Sequence, residues 1–185
     1  MEFAFLNISQ ISEEELQNEL KLMLPQRRES ILRYKKKGDR VRSIAGEILA
    51  KRMLKSLYDV DNPEIYHDEK GKPFTDIEGV NLSISHSENM VVCVISENPV
   101  GIDVEKIKPF NYKLINKVCT DRESEYVLSD KDEKDILLRF YEVWTAKEGY
   151  FKREGTGITK FKSVDIFDLE RKHFIVDDYF IQIVS

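Results

Sequence analysis

Hydrophobic positions recur at helical spacing in two long stretches of the chain. Apolar residues follow one another at intervals of three and four from Val41 to Leu57. This pattern predicts an amphipathic helix over residues 39–58. The same spacing predicts a strong helix over residues 132–154, which Gly155 would stop.

Two shorter helices are predicted ahead of the first long one. Ser12 and Glu15 have the spacing of a capping box, which indicates a helix that opens there and ends before Pro25. A second helix is predicted over residues 26–37, with Gly38 as its stop.

The remaining apolar runs are short and separated by turn residues, which is typical of strands. Strands are predicted at residues 3–8, from residue 64, and at 80–85, 90–96, 100–107, 162–167 and 174–184. Along the chain, helices are followed by strands, and the same order then repeats. This order indicates an α+β fold with two lobes that join near Asn98 and Pro99.

Composition supports a folded chain of modest size. The 185 residues are 41% hydrophobic and 34% charged, a globular balance that excludes a disordered chain. The first ten residues lack the features of a secretory signal and no stretch is long enough to span a membrane, so we expect a cytoplasmic protein. Cys93 and Cys119 have no metal-ligand spacing and are interpreted as reduced packing residues.

Charge is distributed unevenly along the chain. The formal net charge is −5, yet residues 21–55 contain twelve Lys or Arg and three acids. Such a segment could face an anionic ligand, although composition alone favours a solvated helix surface.

Two carboxylates are predicted to share one face of the strand at 100–107. Side chains alternate along a strand, so Asp103 and Glu105 point the same way, and Gly101 on that face would let a ligand approach the backbone. Adjacent carboxylates repel unless a cation lies between them, and magnesium prefers oxygen ligands. An exposed strand of alternating polarity explains the same residues equally well.

The last long helix carries charges on its apolar stripe. The stripe continues through Lys147, Glu148 and Lys152 and contains the following apolar residues: Leu137, Phe140, Tyr141, Trp144 and Phe151. Buried charges need opposite charges, a metal ion or a ligand, although snorkelling lysines that pair with Glu148 are an alternative. Glu148 could complete a magnesium site with Asp103 and Glu105 while the two lysines reach phosphate, which suits phosphoryl transfer.

Two segments resemble the signature motifs of a known enzyme family. Residues 101–105 are Gly-Ile-Asp-Val-Glu, and residues 144–152 are Trp-Thr-Ala-Lys-Glu-Gly-Tyr-Phe-Lys. Together they resemble the two motifs of the 4'-phosphopantetheinyl transferases, and the tryptophan is similar to that of the Sfp-type branch. The resemblance extends over nearly the whole chain, because residues 71–74 match the family's Gly-Lys-Pro turn and residues 82–87 its Ser-His-Ser strand.

This resemblance implies a fold and a set of site residues. The implied fold has two similar α+β lobes, residues 1–98 and 99–185, related by a pseudo-twofold axis with the active site in the cleft between them. Asp103, Glu105 and Glu148 would hold Mg²⁺ in the second lobe. Contacts with coenzyme A are implied for Arg27, Arg42, Lys72, Ser85, His86, Lys147 and Lys152.

Some of these positions have a second interpretation or depart from the family. The implied catalytic residues are Glu148, Lys152 and Glu123. Glu123 lies three residues after Thr120, however, and fits a capping box equally well. From the residues alone, His86 would be a hydrogen-bonded strand histidine. Ser30 is an uncharged residue at a position where some relatives have lysine. The chain ends where Sfp-type relatives usually continue into another strand.

The resemblance implies transfer of the 4'-phosphopantetheine moiety of coenzyme A to a serine of an apo carrier protein, with release of 3',5'-ADP. The carrier would serve fatty-acid, polyketide or nonribosomal-peptide synthesis. We expect a monomer that binds neither nucleic acid nor membranes. The alternatives are a non-catalytic anion-binding or nucleic-acid-binding module that uses residues 21–55, and a magnesium-dependent phosphatase or nucleotidyl transferase.

Overall fold

A computed structural model describes residues 1–129, 132–157 and 160–185. The chain divides into two compact units, Met1–Pro99 and Val100–Ser185. Both combine helices with antiparallel sheets, so the predicted α+β class is confirmed. Within the described ranges, no helix has the length and apolar character needed to cross a lipid bilayer.

The N-terminal unit is built on a three-stranded sheet covered by a long helix. Its sheet has the antiparallel order β1-β5-β4, and a small β2-β3 ladder contacts β4. The elements in chain order are β1 (Glu2–Asn7), α1 (Glu13–Leu22), α2 (Pro25–Leu32), α3 (Lys37–Tyr58), β2 (Tyr66–His67), β3 (Pro73–Phe74), β4 (Asn81–Ser87) and β5 (Met90–Ser96). Helix α3 packs on all three strands of the larger sheet, so its apolar stripe and β5 form the core.

The C-terminal unit repeats this combination with different connections. Its elements are β6 (Gly101–Lys106), α4 (Ile115–Val118), α5 (Asp121–Leu128), α6 (Glu133–Glu154), β7 (Arg171–Val176) and β8 (Tyr179–Val184). The antiparallel sheet has the order β6-β8-β7. Helix α6 packs against β6 and β8 and also against α4 and α5, so it is the central element of this unit.

The predictions for the two long helices are confirmed. Helix α3 ends at Tyr58, where Asp59 adopts a left-handed conformation with φ of 53°. Helix α6 ends at Glu154, because Gly155 takes φ of 64° and stops the helix as predicted. The stop predicted at Gly38 is wrong: α2 already ends at Leu32, and Gly38 lies in the first turn of α3.

Near the C-terminus, the strand predicted at 162–167 is wrong and the strand predicted at 174–184 is confirmed only in part. Residues 162–167 contain parts of two 3₁₀ turns, because the Asp165 carboxylate accepts from Phe167 N–H and the Glu123 carboxylate accepts from Ile166 N–H. These side chains take backbone donors that a strand would give to its neighbour. The single strand predicted at 174–184 is the end of a hairpin, since Asp177 has φ of 53° and turns the chain between β7 and β8.

Both cysteines are buried and free, as the sequence indicates. Burial raises the pKa of Cys93 and of Cys119 to about 12, and the nearby Glu123 carboxylate adds to the effect on Cys119. We therefore expect the folded protein to resist a thiol-specific disulfide reagent at pH 8, whereas the denatured protein should react at two thiols per chain. Rapid reaction of one thiol in the folded protein would contradict this burial.

Candidate active site

Helix α6 lies unusually close to strand β6 because β6 begins with a glycine. A Cβ atom on Gly101 would lie 1.9 Å from the carbonyl oxygen of Gly149 and 2.8 Å from the backbone nitrogen of Arg153. The absent side chain thus makes room for the helix. The expectation that Gly101 leaves space for a ligand is therefore wrong.

Gly101→Ala tests this close approach. The added methyl group must push α6 away from β6, which we expect to cost about 1–3 kcal/mol or more of stability, measured by urea unfolding. A helix displaced by about 1 Å would also lower the turnover of a site built on both elements by about 100-fold.

The matched control is Gly46→Ala on α3, where the added Cβ would lie 2.9 Å from Cγ2 of Ile84 and 3.9 Å from Cγ1 of Val91. Both neighbours are side-chain methyl groups, whereas Gly101 faces backbone atoms, so we expect a smaller loss of stability than for Gly101→Ala and little change in turnover. Equal turnover in Gly101→Ala and the parent would show that the spacing of α6 and β6 does not matter for activity.

This contact brings the charged residues of α6 to the carboxylates of β6. Asp103 is only 3% exposed, and its Oδ1 accepts a 2.6 Å hydrogen bond from Nζ of Lys152. Glu105 lies two residues further along β6 on the same face and is partly exposed. A buried carboxylate and an ammonium group on α6 therefore meet at one place.

Glu148 shares the electrostatic environment of this pair. Its pKa is raised to about 7, first by burial and then by the negative charge of Asp103, with a smaller effect of Glu105. Lys152 acts in the opposite direction. The three carboxylates predicted as metal ligands thus lie near enough to influence one another, and Lys152 lies among them.

Lys147, one residue before Glu148, occupies a different environment. Its side chain is fully buried, and Nζ lies 2.6 Å from Oε2 of Glu123 and 2.9 Å from the carbonyl oxygens of Val118 and Phe161. These three oxygens take all three N–H donors of the ammonium group. The predicted contact of Lys147 with coenzyme A does not fit this position, and the lysine instead links α4, α5 and α6.

Glu123 is equally buried and has a capping role. Its Oε2 accepts from the backbone N–H of Thr120 at 2.6 Å, Thr120 Oγ1 accepts from the N–H of Glu123, and Oε1 accepts from Ile166 N–H. The capping box is therefore confirmed. The alternative role of Glu123 in removing a serine proton does not fit, since its carboxylate is 0% exposed and bonded on both oxygens.

Arg27 and Arg42 of the N-terminal unit both form ion pairs with acids of α3. Arg27 bonds the buried Glu47 through its Nε, and it lines a cavity of about 350 Å³ together with His67. Burial lowers the pKa of His67 to about 4, and the charge of Arg27 acts in the same direction. Arg42 pairs with Asp39.

The other predicted contacts of this unit lie on or beside β4. Ser85 is buried and its neighbour His86 is exposed, as expected for alternating side chains of a strand. Arg42 Nη1 donates to the carbonyl oxygen of Glu88 in the turn that follows β4, at 3.4 Å. Lys72 directly precedes β3, in the ladder that contacts β4. Four predicted residues therefore belong to one region of this unit.

Comparisons with known proteins identify the family of this chain. Residues 10–98 match the family described as 4'-phosphopantetheinyl transferase, N-terminal, and residues 99–180 match the 4'-phosphopantetheinyl transferase superfamily. The chain is 32% identical over 153 residues to 4'-phosphopantetheinyl transferase Sfp of Bacillus subtilis, an alignment that covers 80% of this chain and 67% of that protein. The chain belongs to the 4'-phosphopantetheinyl transferase superfamily.

Other members of the superfamily show similar identity. The 4'-phosphopantetheinyl transferase gsp of Aneurinibacillus migulanus is 36% identical over 136 residues, which cover 72% of this chain and 56% of that protein. HetI of Nostoc is 29% identical over 136 residues, 69% of this chain and 57% of that protein. The chain therefore spans about two thirds or less of the length of these relatives.

The carboxylate site has the chemistry expected for magnesium, although the described side chains are not already arranged around an ion. In residues 1–129, 132–157 and 160–185, no group of three or more His, Cys, Asp or Glu side chains is placed to hold a metal. The donors are nevertheless hard oxygens, and the pKa of Glu148 is raised first by burial and then by repulsion from Asp103, which a divalent cation would relieve. An incoming ion would compete with Lys152 for Asp103.

Proposed function

We propose that this chain transfers the 4'-phosphopantetheine moiety of coenzyme A to a serine of an apo carrier protein. The serine Oγ forms a bond to the phosphorus atom that bears pantetheine, and the bond from that phosphorus to the bridging pyrophosphate oxygen breaks. The hydroxyl proton passes to a base, and 3',5'-ADP leaves. The products are the holo carrier protein and 3',5'-ADP.

One observation carries this proposal: the ammonium group of Lys152 and the carboxylates of Asp103 and Glu148 meet where α6 crosses β6. Phosphoryl transfer requires little covalent chemistry from a protein and depends on positioning and charge stabilisation. A lysine among acids on two rigid elements is suited to this task. Membership of the superfamily gives the reaction its class.

Each of these side chains would have a separate task. Lys152 is about a third exposed, so its ammonium can donate to an oxygen of the transferring phosphate. Asp103, Glu105 and Glu148 would hold Mg²⁺, which when bound neutralises charge on the pyrophosphate. Of the two predicted proton acceptors, Glu148 is favoured through an intervening water molecule, since Glu123 is buried in its ion pair and capping box.

The N-terminal unit would supply further contacts with coenzyme A. Arg42, Lys72, Ser85 and His86 lie on or near β4 and the turn after it, and they combine cations with hydrogen-bond donors that suit phosphate. Arg27 remains a candidate through the N–H groups that it does not give to Glu47. Because one chain matches both family regions, we propose that a monomer suffices.

The carrier protein is proposed to be a small acidic helical domain. Lys21, Lys35 and Lys36 are exposed and lie outside the ion pairs of residues 21–55, so they could attract it over a long range. Incubation with an apo carrier, coenzyme A and Mg²⁺, followed by intact mass spectrometry, tests the reaction. We expect a gain of one phosphopantetheine group on the carrier, and no gain with several different carriers would contradict the proposal.

The structure does not favour the nucleic-acid alternative. Seven of the twelve basic side chains in residues 21–55 form ion pairs with acids: Arg27, Arg33, Lys37, Arg42, Lys51, Arg52 and Lys55. Their positive charge is thus largely compensated within the unit. Tight DNA binding that weakens steeply as salt rises, together with no binding of coenzyme A, would instead support that alternative.

A further inference from the structure

Helix α6 is tied to the sheet at a second point, two turns before its contact with Gly101. Nη2 of Arg171 on β7 lies 3.0 Å from Oε1 of Glu142 on α6, and both side chains are largely buried. The other oxygen of Glu142 accepts a 2.8 Å hydrogen bond from the hydroxyl of Tyr126 on α5. Arg171 therefore anchors the first half of α6 to the strand furthest from β6.

These two anchors determine where the charged residues of α6 lie. Gly149 contacts Gly101 on β6, and Glu142 contacts Arg171 on β7, so two points seven residues apart restrain both sliding and rotation of the helix. Glu148 directly precedes Gly149, and Lys152 follows Gly149 by nearly one turn. Their positions relative to Asp103 thus depend on both anchors.

Between the anchors, the middle strand β8 contains a buried amide. Gln182 is 0% exposed, and its Nε2 donates to the carbonyl oxygen of Lys172 at 3.0 Å. Its Oε1 is buried and accepts no hydrogen bond from the described residues, and Nε of Arg171 is likewise buried without an acceptor among them. One buried acceptor and one buried donor on neighbouring strands therefore have unmet hydrogen-bonding capacity.

The sheet register places these two groups on the same face. Gln182 lies opposite His173, and Arg171 is two residues before His173, so Arg171 and Gln182 are diagonal neighbours beneath α6. Long side chains at diagonal positions come within reach of one another. A buried polar atom without a partner is costly, and a buried water molecule commonly serves two to four such groups.

We propose that Arg171 and Gln182 are positioning residues that share one buried water molecule and hold α6 in the register that Glu148 and Lys152 require. The water accepts from Nε–H of Arg171 and donates to Oε1 of Gln182, so the polar chain from Tyr126 through Glu142 continues to the middle strand. The inference rests on the proposed function, because that function gives the position of α6 its catalytic meaning.

A double-mutant cycle on thermal stability tests the shared water. Arg171→Lys keeps a cation for Glu142 but removes Nε–H, and Gln182→Leu removes Oε1. Each single variant removes one of the two groups that bind the water and leaves the other group without its hydrogen bond, so we expect each to lower Tm. The Tm of the double variant should be no lower than that of the less stable single variant. Additive losses of Tm would overturn the proposal. Should Gln182→Leu fail to fold, Gln182→Met makes the same test.

Kinetics separate a positioning role from general support of the fold. We expect each single variant to lower kcat about three- to tenfold, with KM for coenzyme A changed less than about twofold. The kcat of the double variant should be no lower than that of the less active single variant. Val91→Ala, buried in the N-terminal unit, is the control that should lose Tm with unchanged kcat. An unchanged kcat in both single variants, or losses that multiply, would overturn the proposal.

Failure of the proposed function gives a different result. In that case the parent protein transfers no phosphopantetheine, whereas the Tm cycle still decides whether Arg171 and Gln182 are coupled. Losses of Tm that are not additive in the double variant would then support the buried water, and additive losses would contradict it. If the parent transfers phosphopantetheine and both single variants keep the parent kcat, only the positioning role is contradicted.

Discussion

Glu148→Gln is expected to lower kcat for phosphopantetheine transfer by about 1,000-fold while the protein stays folded. The substitution keeps the shape of the side chain and removes a negative charge that the site needs for charge stabilisation and proton transfer. The measurement is the initial rate of carrier modification by intact mass. Glu133→Gln, at an exposed position in the first turn of the same helix, is the control and should retain the parent rate.

The same variant should separate activity from stability. Glu148 has a pKa of about 7 in the folded protein against an ordinary value of 4.5, so the fold favours its neutral form. The stability linked to this group is present at low pH and is lost as pH rises through about 7. At pH 8 without added metal, Glu148→Gln should therefore have a Tm equal to or above that of the parent. A parent-like rate, or a large fall in Tm, would contradict the assigned role.

Lys147→Met is expected to give the largest loss of stability, about 3–5 kcal/mol by urea unfolding, because it leaves the buried Glu123 carboxylate without its cation. The variant also leaves the carbonyl oxygens of Val118 and Phe161 without their donor. Lys134→Met, at an exposed position of α6, is the matched control and should change stability by less than about 0.5 kcal/mol.

A different result for Lys147→Met would restore the role predicted from the sequence. If stability fell by less than about 1 kcal/mol while KM for coenzyme A rose steeply, Lys147 would contact the substrate. This result would contradict the buried ion pair between Lys147 and Glu123.

The strongest sequence signals were those whose cause is local. The stripe from Val41 to Leu57 and the left-handed Gly155 that follows α6 involve residues within a few positions of one another, and both helices lie where the pattern predicts them. The capping box of Thr120 and Glu123 is local in the same way. Periodicity and capping depend on neighbours along the chain, which a sequence displays directly.

The errors arose where a distant residue decides the outcome. Alternating apolar residues at 162–167 resemble a strand, but backbone donors there are taken by Asp165 and by Glu123, which lies more than forty residues away. Nothing in the spacing distinguishes Lys147 from Lys152, yet one is enclosed by three oxygens and the other reaches Asp103. Pairing between distant elements, which selects these partners, is not visible in a single sequence.

The role of Gly101 shows the same limit in another form. Its position on the face of Asp103 was predictable from strand alternation, but its neighbour was not, because the contact with Gly149 depends on how α6 crosses the sheet. Arg171 and Gln182 gave no signal at all. An arginine and a glutamine in a short hairpin are ordinary surface residues until the register places them beneath a helix.

Anomalous scattering from crystals grown with coenzyme A and Mn²⁺ in place of Mg²⁺ tests the proposed metal site. We expect one manganese peak within coordination distance of Asp103, Glu105 and Glu148, with the pyrophosphate on its open side and Lys152 near a phosphate oxygen. A manganese ion bound elsewhere, with these three carboxylates contacting neither the ion nor coenzyme A, would contradict the proposed metal site.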